Sequence, residues 1–282
     1  MKITIASGKG GTGKTTIATN LAVSLHQAGR KVQYLDCDAE EPNGHIFLKP
    51  AMESTYEVTV GVPEVNMDKC TGCGKCARLC QYSAIICLKD KPLVFEQLCH
   101  SCGGCMAICP QGAITEKQRK IGTAQFGRCN GVYFGQGLLD IGAIQTPALI
   151  KYVKKHIKED AVNIIDAPPG TSCPVIETIK NSDFVLLVTE PTPFGLNDLQ
   201  LAVGMVRELK LPFAVAVNRS DIGDEAVVRY CQQEHIDVVI QIPNNRKIAE
   251  SYSRGEMIVE SIPEYKQKFL KLYDDIVSLT KK

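Results

Sequence analysis

Ser7-Gly8-Lys9-Gly10-Gly11-Thr12-Gly13-Lys14-Thr15-Thr16 stands directly after the apolar run Lys2–Ala6 and directly before a helical pattern near residues 14–28. Strand, glycine-rich loop and helix in that order are the setting that G-x-x-x-x-G-K-[ST] requires. Gly8, Gly10, Gly11 and Gly13 let the backbone wrap close to a polyphosphate, and the start of the helix offers unpaired N–H groups through Thr12 to Thr16. Lys14 reaches the terminal phosphates, and the Thr15 hydroxyl can ligate Mg²⁺.

Outward from this loop, Lys31–Leu35, Ala161–Ile165, Asp183–Thr189, Phe213–Val217 and Val238–Ile242 read as further strands. Residues near 147–158, 196–209, 224–234 and 264–280 read as helices. The strand runs are apolar nearly throughout rather than alternating, the signature of strands buried on both faces. With helical crossovers between them they imply an α/β fold on a mostly parallel sheet.

The chain has 282 residues, with 44% hydrophobic and 22% charged, which places it among folded globular proteins of about two domains. Lys and Arg total 32 against 31 Asp and Glu, so no broad positive field exists to steer it onto nucleic acid. No stretch is long and apolar enough to span a bilayer, and no membrane partner is expected. Thirteen cysteines are far too many for ordinary usage. No apolar signal-peptide segment separates Met1 from the loop, so the expectation is a cytoplasmic protein whose thiols hold metal.

Cys70-Thr71-Gly72-Cys73-Gly74-Lys75-Cys76-Ala77-Arg78-Leu79-Cys80 recurs 29 residues later as Cys99-His100-Ser101-Cys102-Gly103-Gly104-Cys105-Met106-Ala107-Ile108-Cys109. Ala84-Ile85 and Ala113-Ile114 continue the echo, which predicts one short strand from each half of a small pseudo-symmetric α+β unit. C-x₂-C-x₂-C-x₃-C given twice, with Pro110 after the second copy, is the spacing of bacterial two-cluster ferredoxins. It predicts Cys70, Cys73, Cys76 and Cys109 on one [4Fe–4S] cluster and Cys99, Cys102, Cys105 and Cys80 on the other. Zinc is the alternative, but it usually draws two separated pairs rather than triplets. Gln81 replaces the proline expected after the first run, so the two potentials need not match. The organisation expected is an α/β domain of residues 1–60 and 120–282 that carries a ferredoxin insert, 61–119. His100 is expected at the surface, and Cys37, Cys87 and Cys231 in the core.

The loop's second lysine, Lys9, resembles the deviant Walker A motif of MinD-type ATPases, a family that includes the nitrogenase iron protein and the Mrp-type iron–sulfur carriers. The resemblance covers nearly the whole chain. It implies binding and hydrolysis of ATP with Mg²⁺ in a nucleotide-dependent homodimer, with Lys9 crossing to the partner's nucleotide. Asp36-Cys37-Asp38-Ala39-Glu40-Glu41-Pro42-Asn43 resembles that family's switch I, and Asp166-Ala167-Pro168-Pro169-Gly170-Thr171 its switch II. By resemblance Asp38 positions the attacking water, Asp38 and Asp166 join Thr15 in holding Mg²⁺ directly or through water, Asn218 contacts adenine and Pro243 flanks the base. Cys129 and Cys173 resemble the cysteines that bridge a cluster across the iron protein dimer, so a third cluster is a further expectation. The C-x-x-C of the Mrp-type carriers near the C-terminus is absent.

The last helix mixes Lys266, Lys268 and Lys271 with Asp274 and Asp275 on its polar face, so it is expected to pack on the core rather than on lipid. The leading functional expectation is an ATPase that couples dimer closure to electron transfer through two [4Fe–4S] clusters toward an unidentified redox partner. An iron–sulfur assembly or carrier ATPase serving an apo-protein, and a redox-sensing positioning ATPase, are the alternatives.

Overall fold

The computed structural model describes residues 1–281. In chain order it contains β1 (Lys2–Ala6), α1 (Lys14–Gln27), β2 (Val32–Asp36), α2 (Gly44–Leu48), β3 (Ala51–Val65), α3 (Lys75–Leu79), β4 (Ile85–Leu88) and β5 (Lys91–Val94). Then come α4 (Gly104–Ala107), β6 (Ile114–Cys129), β7 (Val132–Leu139), α5 (Thr146–Lys154), β8 (Val162–Asp166), α6 (Cys173–Ile179), β9 (Phe184–Thr189) and α7 (Pro193–Glu208). The chain continues with β10 (Phe213–Asn218), α8 (Ala226–Gln233), β11 (Val238–Ile242), α9 (Arg246–Ser253), α10 (Ile258–Ser261) and α11 (Glu264–Thr280).

Nine strands form one sheet in the order β11-β10-β9-β1-β8-β2-β7-β6-β3. Every pairing from β11 to β7 is parallel, and β6 and β3 are antiparallel additions at one edge. The mostly parallel α/β sheet expected from the sequence is therefore present.

The apolar strands read as continuous because helices cover both faces. On β9, Leu186 and Val188 pack with α1 and α11, while Val185 and Leu187 pack with α6, α7 and α8. Both rows are essentially dry. α11 sends Phe269, Tyr273 and Ile276 into the first of these layers, so it packs on the core as expected.

Three strands escape a reading of apolar runs. β7 carries Gly135 and Gly137, whose missing side chains make room for Leu35 and Leu149. β3 and β6 form a long ribbon that pairs from Ala51 with Arg128 to Val65 with Ile114. Its register on β7, Gly122 against Leu139, carries residues 114–121 past the carboxyl edge of the parallel strands. The ribbon thus runs through the expected boundaries at 60 and 120, and residues 66–113 sit at its tip, on the same edge as the glycine-rich loop.

Within that tip the sequence repeat is also a repeat of backbone geometry. Phe95 N–H bonds Ala84 C=O at 2.8 Å, and 29 positions away Asn66 N–H bonds Ala113 C=O at 2.7 Å. Ile85 pairs with Val94 in the β4–β5 hairpin as Ile114 pairs with Val65 in the ribbon. Positive φ angles recur at Gly72 and Ser101, Gly74 and Gly103, and Ser83 and Gly112. The two short strands predicted at Ala84-Ile85 and Ala113-Ile114 are both formed, the second as the start of β6.

Candidate nucleotide and cluster sites

β1, β8 and β2 end together, and their carboxyl ends meet the loop Ser7–Gly13 and the start of α1, where an open α/β sheet binds its ligand. The loop conformation depends on two glycines. A side chain at Gly8 would lie 2.2 Å from the Asp198 carbonyl oxygen. Gly13, at φ 94°, has no room beside the Asn218 amide and caps α1 in a left-handed conformation. The result is a cleft of about 420 Å³ lined by Gly10, Gly11, Gly13, Lys14, Thr15 and Thr16 from the loop side. Asp38, Asn218 and Pro243 line it from three other strand ends. Asn218 Nδ2 also donates to Thr12 C=O at 2.9 Å, so this residue braces the loop as well as facing the cleft.

Three carboxylates stand behind the loop with distinct partners. Asp36 is fully buried and accepts backbone N–H groups from Asp38 (3.1 Å), Asn43 (3.1 Å) and Gly44 (2.8 Å), which folds the segment 36–44 over the cleft. Asp166 accepts the Tyr34 hydroxyl at 3.0 Å on one oxygen, while its Oδ1 is buried with no partner. Burial pushes both carboxyls up, and the Asp166 charge raises Asp36 further. The Thr15 hydroxyl, Lys14 and Tyr34 hold Asp166 partly down. Asp38 is pushed up to about 6 by burial and by Asp166, against the pull of Lys14.

An unpaired buried carboxylate oxygen beside a hydroxyl is a hard-oxygen donor set, and it fits Mg²⁺. Thr15 and Asp166 are the residues that would hold the ion, directly or through water. There it would supply positive charge for the nucleotide phosphates.

Lys9 points elsewhere. Its Nζ lies 3.7 Å from Glu190, at the end of β9, and the buried Glu190 carboxylate also takes Arg219 Nη1 at 2.8 Å. Lys9 does not line its own cleft, and sequence reading had no signal for Glu190 because the three residues meet only in the folded sheet.

The expected cluster cysteines sort into two cavities. One is lined by Cys70, Cys73, Cys76 and Cys109, the other by Cys99, Cys102, Cys105 and Cys80. Their cysteines are images of each other under the 29-residue repeat, with Pro92 in one standing for Pro63 in the other. Among the described residues no three His, Cys, Asp or Glu side chains converge tightly enough for a single metal ion. Zinc would need four donors within about 2.3 Å of one point, whereas a cubane spreads its thiolates over four irons. Sulfur-accepting donors are also in place. Burial pushes the Cys80 thiol up, but the backbone N–H groups of Tyr82, Ile85, Ala84 and Ser83 outweigh it and bring it below the ordinary value. Ala113 N–H meets Cys109 Sγ at 3.3 Å. The residues present fit [4Fe–4S] groups.

Two cysteine expectations need correction. Cys87 is not a core residue but lines the first cavity with the four expected ligands. Cys129 and Cys173 cannot share a third cluster. Cys129 ends β6 opposite Val132, at the amino end of the parallel strands, whereas Cys173 opens α6 beyond their carboxyl ends. No single face presents both. Cys37 and Cys231 are buried in the core as expected. His100 is exposed, stacks on Tyr82 with ring centroids 3.6 Å apart, and edges the second cavity.

The segment 36–44 and the second cavity are joined through the start of α5. Ala39 C=O accepts Leu139 N–H at 2.8 Å. The Thr146 hydroxyl donates to Glu40 at 3.2 Å. Next to it, buried Gln145 donates its side-chain amide to the Cys99 carbonyl at 2.5 Å. No helix among the described residues is long and apolar enough to cross a membrane.

Comparison with known proteins supports the same frame. A sequence profile for the CobQ/CobB/MinD/ParA nucleotide binding domain matches residues 3–259. Two uncharacterized proteins of Methanocaldococcus jannaschii are 33% and 30% identical, covering 95% and 92% of this chain and 96% and 92% of their own. An iron–sulfur cluster carrier protein of Pyrococcus horikoshii is 25% identical, covering 99% of this chain and 86% of its own. Among solved structures, the cell division ATPase MinD of Pyrococcus furiosus superposes with a TM-score of 0.61 at 22% identity, covering 98% of each chain. The septum site-determining MinD of Pyrococcus horikoshii, complexed with Mg-ADP, gives 0.60 at 23%, covering 97% of this chain and 94% of that one. The loop, the sheet and the length of the profile match agree: this chain belongs to the CobQ/CobB/MinD/ParA family of P-loop nucleotide-binding proteins.

Proposed function

We propose that this chain is an ATPase that closes as a homodimer on ATP and thereby governs electron transfer through two [4Fe–4S] clusters held by an inserted ferredoxin module, residues 61–119. Each cluster, when bound, takes up and releases one electron. The observation that carries the coupling is the hydrogen-bonded path from the segment 36–44 to Cys99. Glu40 holds Thr146, and the adjoining Gln145 holds the backbone of a cluster cysteine. Asp38 lies in the same segment and lines the nucleotide cleft, so a segment that shifts on the γ-phosphate pulls on the second cavity. By linkage, reduction of that cluster alters nucleotide affinity equally.

Lys14 and Thr15 bind the phosphates, Asp166 anchors Mg²⁺, and Asp38 orients the attacking water. Asn218 and Pro243 border the base. Lys9, free to leave Glu190, supplies positive charge to the partner's phosphates.

Gln145→Ala tests the path. The variant is expected to retain its iron and to bind ATP within about threefold of the parent, since it touches neither phosphate nor sulfur. The change that MgATP produces in the EPR spectrum of the second cluster should be largely lost. A full nucleotide response in Gln145→Ala would remove this route.

Relatives named iron–sulfur cluster carrier proteins favour a second reading, in which the clusters are cargo. A transfer assay to an apo-ferredoxin separates the two. The electron-transfer reading expects the clusters to stay on this chain through many ATP turnovers, and the carrier reading expects them to leave.

A further inference from the structure

The 29-residue repeat makes the four cysteines of one cavity equivalent to the four of the other, and the first cavity alone holds a fifth. Cys87 lines the first cavity, and its image under the repeat is Glu116, which lies over Gly61 and is not among the residues that line the second. Cys87 sits on β4 opposite Pro92. Its sulfur rests against the turn between Cys73 and Cys76, 4.0 Å from where a side chain at Gly74 would start. Cys76 lines the same cavity two residues on from Gly74, and burial and then the neighbouring Cys87 push its thiol up. Four thiolates complete a cubane, so five around one cavity leave a sulfur in surplus, and it stands next to one particular ligand.

We propose that Cys87 is a reserve ligand of the first cluster, placed to take the iron that Cys76 holds. The inference rests on the cluster reading above. In the exchange one Fe–S bond to Cys76 breaks and one to Cys87 forms. A proton passes from the Cys87 thiol to the Cys76 sulfur, and no electron moves. The exchange is local because both cysteines line one cavity. The second cluster has no such substitute, since a carboxylate occupies the equivalent strand position.

Anaerobically prepared variants test this by iron and acid-labile sulfide content, EPR and mapping of alkylated thiols by mass spectrometry. The parent and Cys87→Ala should each hold about eight iron atoms per chain. Cys73→Ala, which a reserve for the Cys76 iron does not serve, should fall to about seven or fewer. Cys76→Ala should keep the parent's iron, with Cys87 protected from alkylation, and Cys76→Ala/Cys87→Ala should fall to the Cys73→Ala level. Iron loss from either site in Cys76→Ala, or an alkylated Cys87 in it, overturns the proposal. If the alanine variant is insoluble, Cys76→Ser answers the same question: protected Cys87 supports the proposal and alkylated Cys87 refutes it. A parent protein with no acid-labile sulfide would instead sink the cluster reading itself, so the two failures are distinguishable.

Discussion

Lys9→Ala is expected to lower ATP turnover by about 100-fold or more while leaving nucleotide affinity within about threefold, as removal of a cation that acts only on developing phosphoryl charge should. Lys9 contacts Glu190 rather than its own cleft, and in the proposed homodimer its contribution arrives from the other subunit. This gives a sharper form of the prediction. Lys9→Ala and Asp38→Asn are each inactive alone, yet a mixture restores activity, because the Lys9→Ala chain keeps Asp38 and receives Lys9 from its partner. With random pairing, half the dimers are mixed and each has one working site, so about a quarter of the parent rate should return. Steady-state phosphate release at varied mixing ratios measures it. No recovery would place Lys9 in its own site or among structural residues.

Asp38→Asn carries the second large effect, and it has two opposite signs. Loss of the carboxylate proposed to orient water should cost about 10²-fold or more in turnover. The nucleotide-free protein should nevertheless become more stable. Asp38 is pushed up to about 6 by burial and by the Asp166 charge, well above the value near 3.9 of an unfolded chain. Between those values the folded state binds more protons than the unfolded one. The stability from this group is therefore complete below about pH 4 and is lost as pH rises through about 6. At pH 7 the parent carries the whole penalty, and the asparagine variant recovers up to ~3 kcal/mol. Thermal melts between pH 4 and 8 without nucleotide should show a downward slope in the parent that is shallower in Asp38→Asn. An equal slope in both would show that the carboxylate is not strained. Such strain at a carboxylate facing the nucleotide cleft is the ordinary trade of stability for function.

The legible parts of this protein are those whose chemistry is local. The segment from Ser7 to Thr16 specifies its own backbone, because glycines, a lysine and a helix start need no distant partner to be recognised. The same is true of the cysteine runs, where short spacing keeps three neighbouring thiols at one cavity. The expected six parallel strands all form, since residues such as Leu186 and Leu187 must be apolar to face opposite helical layers.

What was illegible depends on long-range placement. β7 is hidden by Gly135 and Gly137, which are poor strand formers whose small size serves packing against Leu35 and Leu149. The β3–β6 ribbon has one exposed face over much of its length, so its alternation with polar residues and glycines does not resemble the buried strands. Asp36 looks like its neighbour Asp38 in sequence, yet the fold gives it three backbone N–H partners and a structural task. Cys87 carries no ligand spacing and is brought to its cavity by the β4–β5 hairpin. Cys129 shows the converse. Its resemblance, with Cys173, to a pair of cluster cysteines dissolves once β6 is seen to run antiparallel and deliver it to the far end of the sheet.

The central claim is that a phosphate bound by Lys14 is felt at the cysteine cavities through Glu40, Thr146 and Gln145. Anaerobic redox titration followed by EPR, with and without MgATP, tests it most directly. The account predicts that MgATP changes the reduction equilibrium of the second cluster at least tenfold, a shift of ~59 mV for a one-electron couple. Two fully assembled clusters whose midpoints are the same with and without MgATP would contradict it.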